Sequence, residues 1–425
     1  MVNKTSRSEP TLNQLSRRGF AALFLAGAAN TLILKSPDKA LAEVRTYTDS
    51  GVDSSGNASI ISFTDSLGRA VMIPTKVNAV TPLGIQAQTL VEILCGDSLV
   101  SLALNMNADA DDYKVAGLED MLNLPRTNMT SSTTVLDDLS TINEAALSGG
   151  SDVITDLPDS VANVEAAASA VLPDVILDVG LVREGISENL DRLQSITGIP
   201  CVFLDIAFGK LPQAFRMLGN LVSSSDTTRA ESLATYVESV LAMTTFSVDA
   251  TSGKGARRVL YAPRKNGLVL NSGASVQLDA ISHIGAVPYT SAYDYSNKTI
   301  QIESVSTDTV DLVVFDDAQC FSSLLSASGE AYDVWRASSA VTDGIIALSP
   351  ALMHSWFGSP IFVQSIGLLW LSQVVWPEYC TRDLVEEARN FYSLFYNMQK
   401  QDSDWNRLLG FNATSKDTPE STKDS

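Results

Sequence analysis

The residues best suited to hold a ligand gather near the carboxyl terminus. His354, Trp356 and Phe357 precede Gly358-Ser359-Pro360, a polar and aromatic loop that runs into the apolar stretch Ile366-Gly367-Leu368-Leu369-Trp370-Leu371. Pro377, directly after Trp376, stops that stretch, so the loop is mounted on a helix with a defined end. Trp356 and Phe357 can stack on a planar or greasy molecule. His354 and the distant Tyr113 can ligate a metal centre as imidazole and phenolate, while Arg264 and Lys265 can pair with carboxylates or an oxyanion. His354 reads equally well as a hydrogen-bonded structural histidine, and Tyr113 as a residue at a pocket rim. Asp109, Asp111 and Asp112 lack the Gly and the terminal Glu of an EF-hand loop and read as solvated.

Other chemistries find little support. The motifs G-x-G-x-x-G, C-x-x-C and G-x-S-x-G are absent, which weighs against a twin-arginine-exported redox enzyme. The chain holds only two histidines, His283 and His354, too few for a multi-histidine metal centre. Cys95, Cys201, Cys320 and Cys380 lie far apart; Cys95 and Cys201 sit in apolar runs as small hydrophobes, and a Cys320–Cys380 bridge is the one pairing left open. The 29 basic and 49 acidic residues give a formal charge of -20, which argues against nucleic acid or anionic lipid as the main partner. Neither repeats nor an anchor suggest an adhesive surface protein.

The elements that must position these residues follow a βα alternation. Phe63 to Pro74 reads as two short strands around a Gly-containing turn. Strands are expected at Val77–Leu83, Leu99–Leu104, Asp152–Thr155, Asp174–Asp178 and Pro200–Asp205, with a helix over Gln86–Cys95. Strands alternating with helices imply a mostly parallel sheet covered on both faces, whose ligands sit on loops at the carboxyl ends of the strands. Those loops include Pro82 to Gln86, Asn105 to Tyr113 and Arg264 to Ser272.

From Leu211 to Phe246 no strand pattern appears. Thr228 with Glu231 makes a capping box, and Leu233, Val237, Val240 and Leu241 recur at helical spacing. The segment suits a strut between two lobes or an ordinary packing helix. Alternation then resumes with strands at Arg258–Ala262, Asp311–Phe315 and Gly344–Leu348 and helices at Ala274–Ile284, Phe362–Val375 and Thr381–Met398. Glu144 precedes Asp152-Val153-Ile154 by eight positions, and Glu303 precedes Asp311-Leu312-Val313 by the same interval. The match reads as a repeat between two similar lobes, or as helix-capping chemistry at two unrelated places.

At the amino terminus, Lys4, Arg7, Arg17 and Arg18 lead into an uncharged run from Gly19 to Leu34 and then Ala40-Leu41-Ala42, the order of a secretory signal peptide. Ser16-Arg17-Arg18-Gly19-Phe20 resembles the twin-arginine export motif, with cleavage expected after Ala42. No cysteine near that point supports a lipid anchor. The expected organisation is a signal peptide over 1–42, a leader over 43–58, an α/β lobe over 59–206, a helical connector over 207–250, a second α/β lobe over 251–399 and a disordered tail over 400–425.

Several blocks together resemble the substrate-binding proteins of ABC importers for iron siderophores, haem and cobalamin. They are Asp65-Ser66-Leu67-Gly68-Arg69 with Ile73-Pro74, Gly198-Ile199-Pro200 before Val202-Phe203-Leu204-Asp205, Arg229-Ala230-Glu231 to Tyr236, and Ile366 to Trp370 with Trp376-Pro377-Glu378 and Phe391 to Tyr396. The resemblance covers roughly residues 61 to 398. It implies two Rossmann-like α/β lobes with mostly parallel sheets, joined by a single long helix, with a ligand cleft between them. It further implies a non-enzymatic receptor without cofactors. The receptor would be a monomer, exported by the twin-arginine translocase to the periplasm or the outer face of the cytoplasmic membrane. There it would pass cargo to a membrane permease and its ATPase. Ferric siderophore is the first cargo the resemblance suggests, then haem or cobalamin, with molybdate or tungstate as an alternative. Cleft-lining residues would be Trp356, Phe357, His354, Tyr113, Arg264, Lys265 and Gln86. Glu144 and Glu303 occupy the positions of the two glutamates that dock such receptors onto basic pockets of the permease.

Overall fold

A computed structural model describes residues 60–103, 173–222, 227–251, 255–263, 266–269, 274–297, 299–352, 354–358 and 360–398. The expected signal peptide, leader, strand at Asp152–Thr155 and tail lie outside these residues, as do Tyr113, Glu144, Arg264 and Lys265. The described residues form two compact units: 60–103, 173–205, 217–222 and 227 in the first, and those of 206–216 and 228–398 in the second.

In the first unit, β1 (Ile60–Thr64) and β2 (Ala70–Pro74) form the antiparallel hairpin, with Thr64 opposite Ala70. Asp65 holds its turn. The carboxylate accepts from the backbone N–H groups of Leu67 and Arg69 at 3.0 Å each, and from Arg69 Nε at 3.0 Å and Nη2 at 2.6 Å. It also accepts from the Phe203 amide at 3.3 Å, which ties the hairpin to the sheet. That sheet is parallel, in the order β3 (Val80–Leu83), β4 (Val175–Gly180), β5 (Cys201–Asp205). Its strands are near-continuous apolar runs, buried along nearly their whole length. Helix α1 (Gly84–Cys95) follows β3, and α2 (Ile186–Thr197) sends Ile186, Leu190 and Leu193 onto Ile176, Cys201 and Phe203.

Of the strand expected at Leu99–Leu104, the described residues 99–103 meet β3 in an isolated bridge between Leu99 and Val80. Side chains compete for its backbone: the Ala103 amide donates to Gln88 Oε1 at 2.9 Å instead of to a ladder partner.

Helix α3 (Leu211–Leu221) supplies residues to both units, and α4 (Thr227–Thr251), a 25-residue helix, falls with the second. Near the start of α4, Glu231, expected to share a capping box with Thr228, has a partner on another helix. Arg216 takes it in a two-toothed pair at 2.7 Å through Nε and Nη2, and grips Glu238 two turns on at 2.6 Å. The forked guanidinium engages both carboxylate oxygens, which adds geometry to the charge.

The second unit has a four-stranded parallel sheet in the order β11-β10-β6-β7: β6 (Arg258–Ala262), β7 (Val287–Pro288), β10 (Leu312–Phe315) and β11 (Ile346–Leu348). Between β7 and β10 lies a small antiparallel ribbon, β8 (Tyr293–Asp294) and β9 (Thr299–Ile300). Helices α5 (Ala274–His283), α6 (Ala318–Leu325), α7 (Glu330–Trp335) and α8 (Ser339–Thr342) accompany the sheet. Phe315, Phe321 and Trp335 lead the core beside Leu260 and Val313. A second hairpin, β12 (Ala351–Leu352) and β13 (His354–Ser355), precedes α9 (Gln364–Val375) and α10 (Leu384–Tyr396). Phe362 stacks on Phe395 with centroids 5.7 Å apart, and Phe395 on Phe391 at 4.3 Å, seating α10.

The four cysteines are buried thiols, and Cys320 and Cys380 do not bridge. Burial pushes the Cys95 and Cys320 thiols up to about 12, so neither ionises near neutrality. Among the described residues no helix is long and apolar enough to cross a membrane.

Candidate functional site

The strands of the second unit end together at Ala262, Phe315 and Leu348, and the polar residues that follow them meet at the sheet's carboxyl edge. Tyr261, the penultimate residue of β6, donates its hydroxyl proton to Asp316 Oδ2 at 2.9 Å. Asp316 follows β10 directly and is half-buried. Against its carboxylate lies Gly358: a Cβ there would fall 2.6 Å from Asp316 Oδ2. Only glycine allows the loop that close. Gln277 on α5 fixes the same glycine by donating from Nε2 to its carbonyl at 3.2 Å.

After β11, two serines organise the loop. The Ser349 and Ser355 hydroxyls lie 3.0 Å apart; Ser349 Oγ accepts from the Phe357 amide at 3.0 Å, and Ser355 Oγ from the Gly358 amide at 3.2 Å. The Trp356 amide donates to the Pro350 carbonyl at 2.8 Å. Two backbone N–H groups that would otherwise point out of the loop are thus already capped, and the loop is fixed before any ligand arrives. Chemically, this edge holds a half-buried carboxylate, braced by a phenol, beside two serine hydroxyls that the loop's own amides engage.

Trp356 and Phe357 take a different place from the one expected. Both are fully buried: the indole N–H donates to the Tyr392 oxygen at 2.9 Å, and Phe357 meets the Tyr261 ring edge-on at 5.4 Å. Neither ring keeps a face for stacking on a ligand in this arrangement. Two large apolar side chains at the foot of a loop gain more from the core than from solvent, and they anchor the loop from beneath. His354 is half-buried in the β12–β13 hairpin, opposite Leu352. In the first unit, Gln86 is half-buried in the opening turn of α1, just past the carboxyl end of β3. Glu303 is exposed on a 3-10 turn, Ile302–Ser304, whose last carbonyl accepts from the Tyr289 hydroxyl at 3.0 Å.

Tyr261, Gln277, Asp316, Ser349 and Ser355 were not among the residues expected from sequence. A signal for two of them was available: Asp316 and Ser349 are the first polar residues after the apolar runs Leu312–Phe315 and Ile346–Leu348. Elsewhere in this unit a cavity of about 30 Å³ is lined by Phe208, Leu211, Leu241, Val276, Gln364 and Leu368. It has room for a water or two and none for a metal chelate. Among the described residues no three His, Cys, Asp or Glu side chains gather as a metal site.

No family model matches the chain, and no curated protein matches it in sequence. Solved structures do match. An ABC transporter solute-binding protein from Sulfurospirillum deleyianum superimposes with a TM-score of 0.61 at 16% identity, covering 82% of this chain and 99% of that one. The periplasmic molybdate-binding protein MolA of Haemophilus influenzae, solved with molybdate, gives 0.56 at 17% identity over 80% and 99%. Ceue of Helicobacter pylori, solved with Ni(II), gives 0.55 at 12% identity over 82% and 99%. The mixed α/β architecture with parallel sheets is therefore the fold of the solute-binding proteins that serve ABC transporters.

Proposed function

We propose that the protein is the extracytoplasmic solute-binding component of an ABC importer, which captures its cargo and hands it to a permease and ATPase without transforming it. The observation that carries this reading is coverage: whole solute-binding proteins, 99% of their length, are matched by about four-fifths of this chain. Ser16-Arg17-Arg18-Gly19-Phe20 supports export by the twin-arginine route. A ferric siderophore is the proposed cargo, on the sequence resemblance. Molybdate is the second reading, favoured by the bound oxyanion in one matched structure. Gln86, His354, Tyr113, Arg264 and Lys265 are the proposed cargo-facing residues, joined by Asp316. Glu144 and Glu303 are the proposed permease contacts, where charge-assisted pairing with arginine gives orientation as well as energy.

A thermal-shift screen of ferric siderophores, haemin, cobalamin and molybdate tests the reading. One cargo class should raise the melting temperature, by an amount that grows with its concentration. No shift with any of them, together with turnover of a redox dye, would overturn the receptor in favour of an enzyme. Glu144→Lys with Glu303→Lys should abolish uptake while leaving cargo affinity intact; a lost affinity would show the two glutamates to be misassigned.

A further inference from the structure

The tip of the β8–β9 ribbon carries a short sequence whose chemistry cargo capture does not use. Asn297-Lys298-Thr299 is an Asn-x-Thr triplet with no proline at its centre, the acceptor pattern for N-linked sugar. Triplets of this kind also begin at Asn3, Asn57, Asn128 and Asn412, but here the Asn and the Thr both belong to the described residues. Asn297 is exposed in the turn between the two strands, and Thr299 opens β9 opposite Asp294. The turn holds the acceptor in place: the Asp294 carboxylate accepts from the Asn297 backbone amide at 3.2 Å and from its Nδ2 at 2.6 Å. It accepts as well from the Ser296 amide at 3.1 Å and hydroxyl at 2.5 Å. Of the two hydrogens on Nδ2, Asp294 takes one, which leaves the other open to replacement. Among the described residues the Thr299 hydroxyl has no hydrogen-bond partner, so the second group of the triplet is uncommitted too.

Two positions before the acceptor, Tyr295 is 65% exposed. Its ring is braced edge to face by Tyr293 at 5.9 Å, and the Tyr293 hydroxyl is anchored on the Tyr261 carbonyl at 2.9 Å. A held aromatic ring left in water adds nothing to the core; near an acceptor amide it offers an apolar face to the C–H groups of a first sugar. A chain carried across the membrane already folded presents only its finished surface to a transferase, and this triplet stands on that surface. We propose that Asn297 is a site of N-linked glycosylation, a reading that rests on the export reading above. The donor is an oligosaccharide carried on a lipid pyrophosphate. A bond forms between Asn297 Nδ2 and the anomeric carbon, and the bond from that carbon to the pyrophosphate oxygen breaks. The lipid pyrophosphate leaves with the electron pair, the displaced amide proton goes to solvent, and nothing is oxidised or reduced. The linked amide keeps one N–H, enough to retain its bond to Asp294.

The test isolates the full chain from the extracytoplasmic fraction of its own cells and reads its peptides by mass spectrometry, with fragmentation that preserves the sugar linkage. The peptide bearing Asn297 should carry a sugar mass on that residue. Asn297→Gln and Thr299→Ala should each lose it, and Thr299→Ser, which restores the hydroxyl, should keep it. A bare Asn297 in exported wild-type protein, or a sugar that survives Thr299→Ala, would overturn the site while leaving the importer intact. A chain found only in the cytoplasm would overturn the export reading and the site with it.

Discussion

Trp356 donates its indole N–H to the Tyr392 oxygen at 2.9 Å, and the Tyr392 hydroxyl donates in turn to the Leu352 carbonyl, also at 2.9 Å. The relay joins α10 to both sides of the β12–β13 hairpin and fixes the loop that carries Ser355 and Gly358. Tyr392→Phe leaves a buried donor and a buried acceptor without this link and should cost about 1–3 kcal/mol in urea unfolding. Adding Trp356→Phe should cost less than the sum of the two single changes, because they share one network. Strict additivity would show the relay to be unimportant.

Gly367 faces that loop from α9. A Cβ at this position would lie 2.0 Å from the Trp356 carbonyl oxygen and 2.8 Å from its carbon, both backbone atoms that cannot rotate away. Gly367→Ala should therefore destabilise by about 3 kcal/mol despite alanine's better helix propensity. At Gly180, where an added Cβ meets nothing within 4 Å, the same change should be nearly neutral. Chemical denaturation of both variants distinguishes steric from entropic control.

His283 gives stability a pH dependence. Its Nε2 lies 3.1 Å from the Leu241 carbonyl and 2.9 Å from Thr244 Oγ1, beside Phe208. Burial lowers its pKa from the ordinary 6.5, with the Leu241 carbonyl pulling partly the other way. The unfolded chain therefore takes up a proton before the folded one does. This contribution is complete above 6.5 and is lost as pH falls through that value towards the folded pKa. His283→Gln should flatten the fall in unfolding free energy between pH 7 and 5; an unchanged slope would assign the effect elsewhere.

Gln364 lines the small apolar cavity and is 4% exposed, with no protein partner for its amide nitrogen. Gln364→Met removes a buried, unanswered donor at similar volume and should raise stability by about 1 kcal/mol. A loss of stability would mean that an ordered water already satisfies the amide.

The strands were the legible part of the sequence. Val175–Gly180, Cys201–Asp205 and Leu312–Phe315 are short apolar runs bounded by polar residues, a pattern that burial on both faces imposes directly. The site was harder to read because loop conformation depends on side chains that meet only after folding. Trp356 and Phe357 were conspicuous by type, yet their role is set by Tyr392 and Tyr261, which lie 36 and 96 positions away in the chain. Gln277 contacts Gly358 across 81 positions, and nothing local to either residue announces the pair. The Arg216–Glu231 pair was hidden in the same way, since its two members sit on different helices.

With Cys95, Cys201, Cys320 and Cys380 all sunk in the interior and none cross-linked, the fold waits on no oxidant. Its shape is reached without cross-links in reducing or oxidising surroundings alike, with the sulfur atoms shielded from attack. Maturation and redox environment are thereby decoupled.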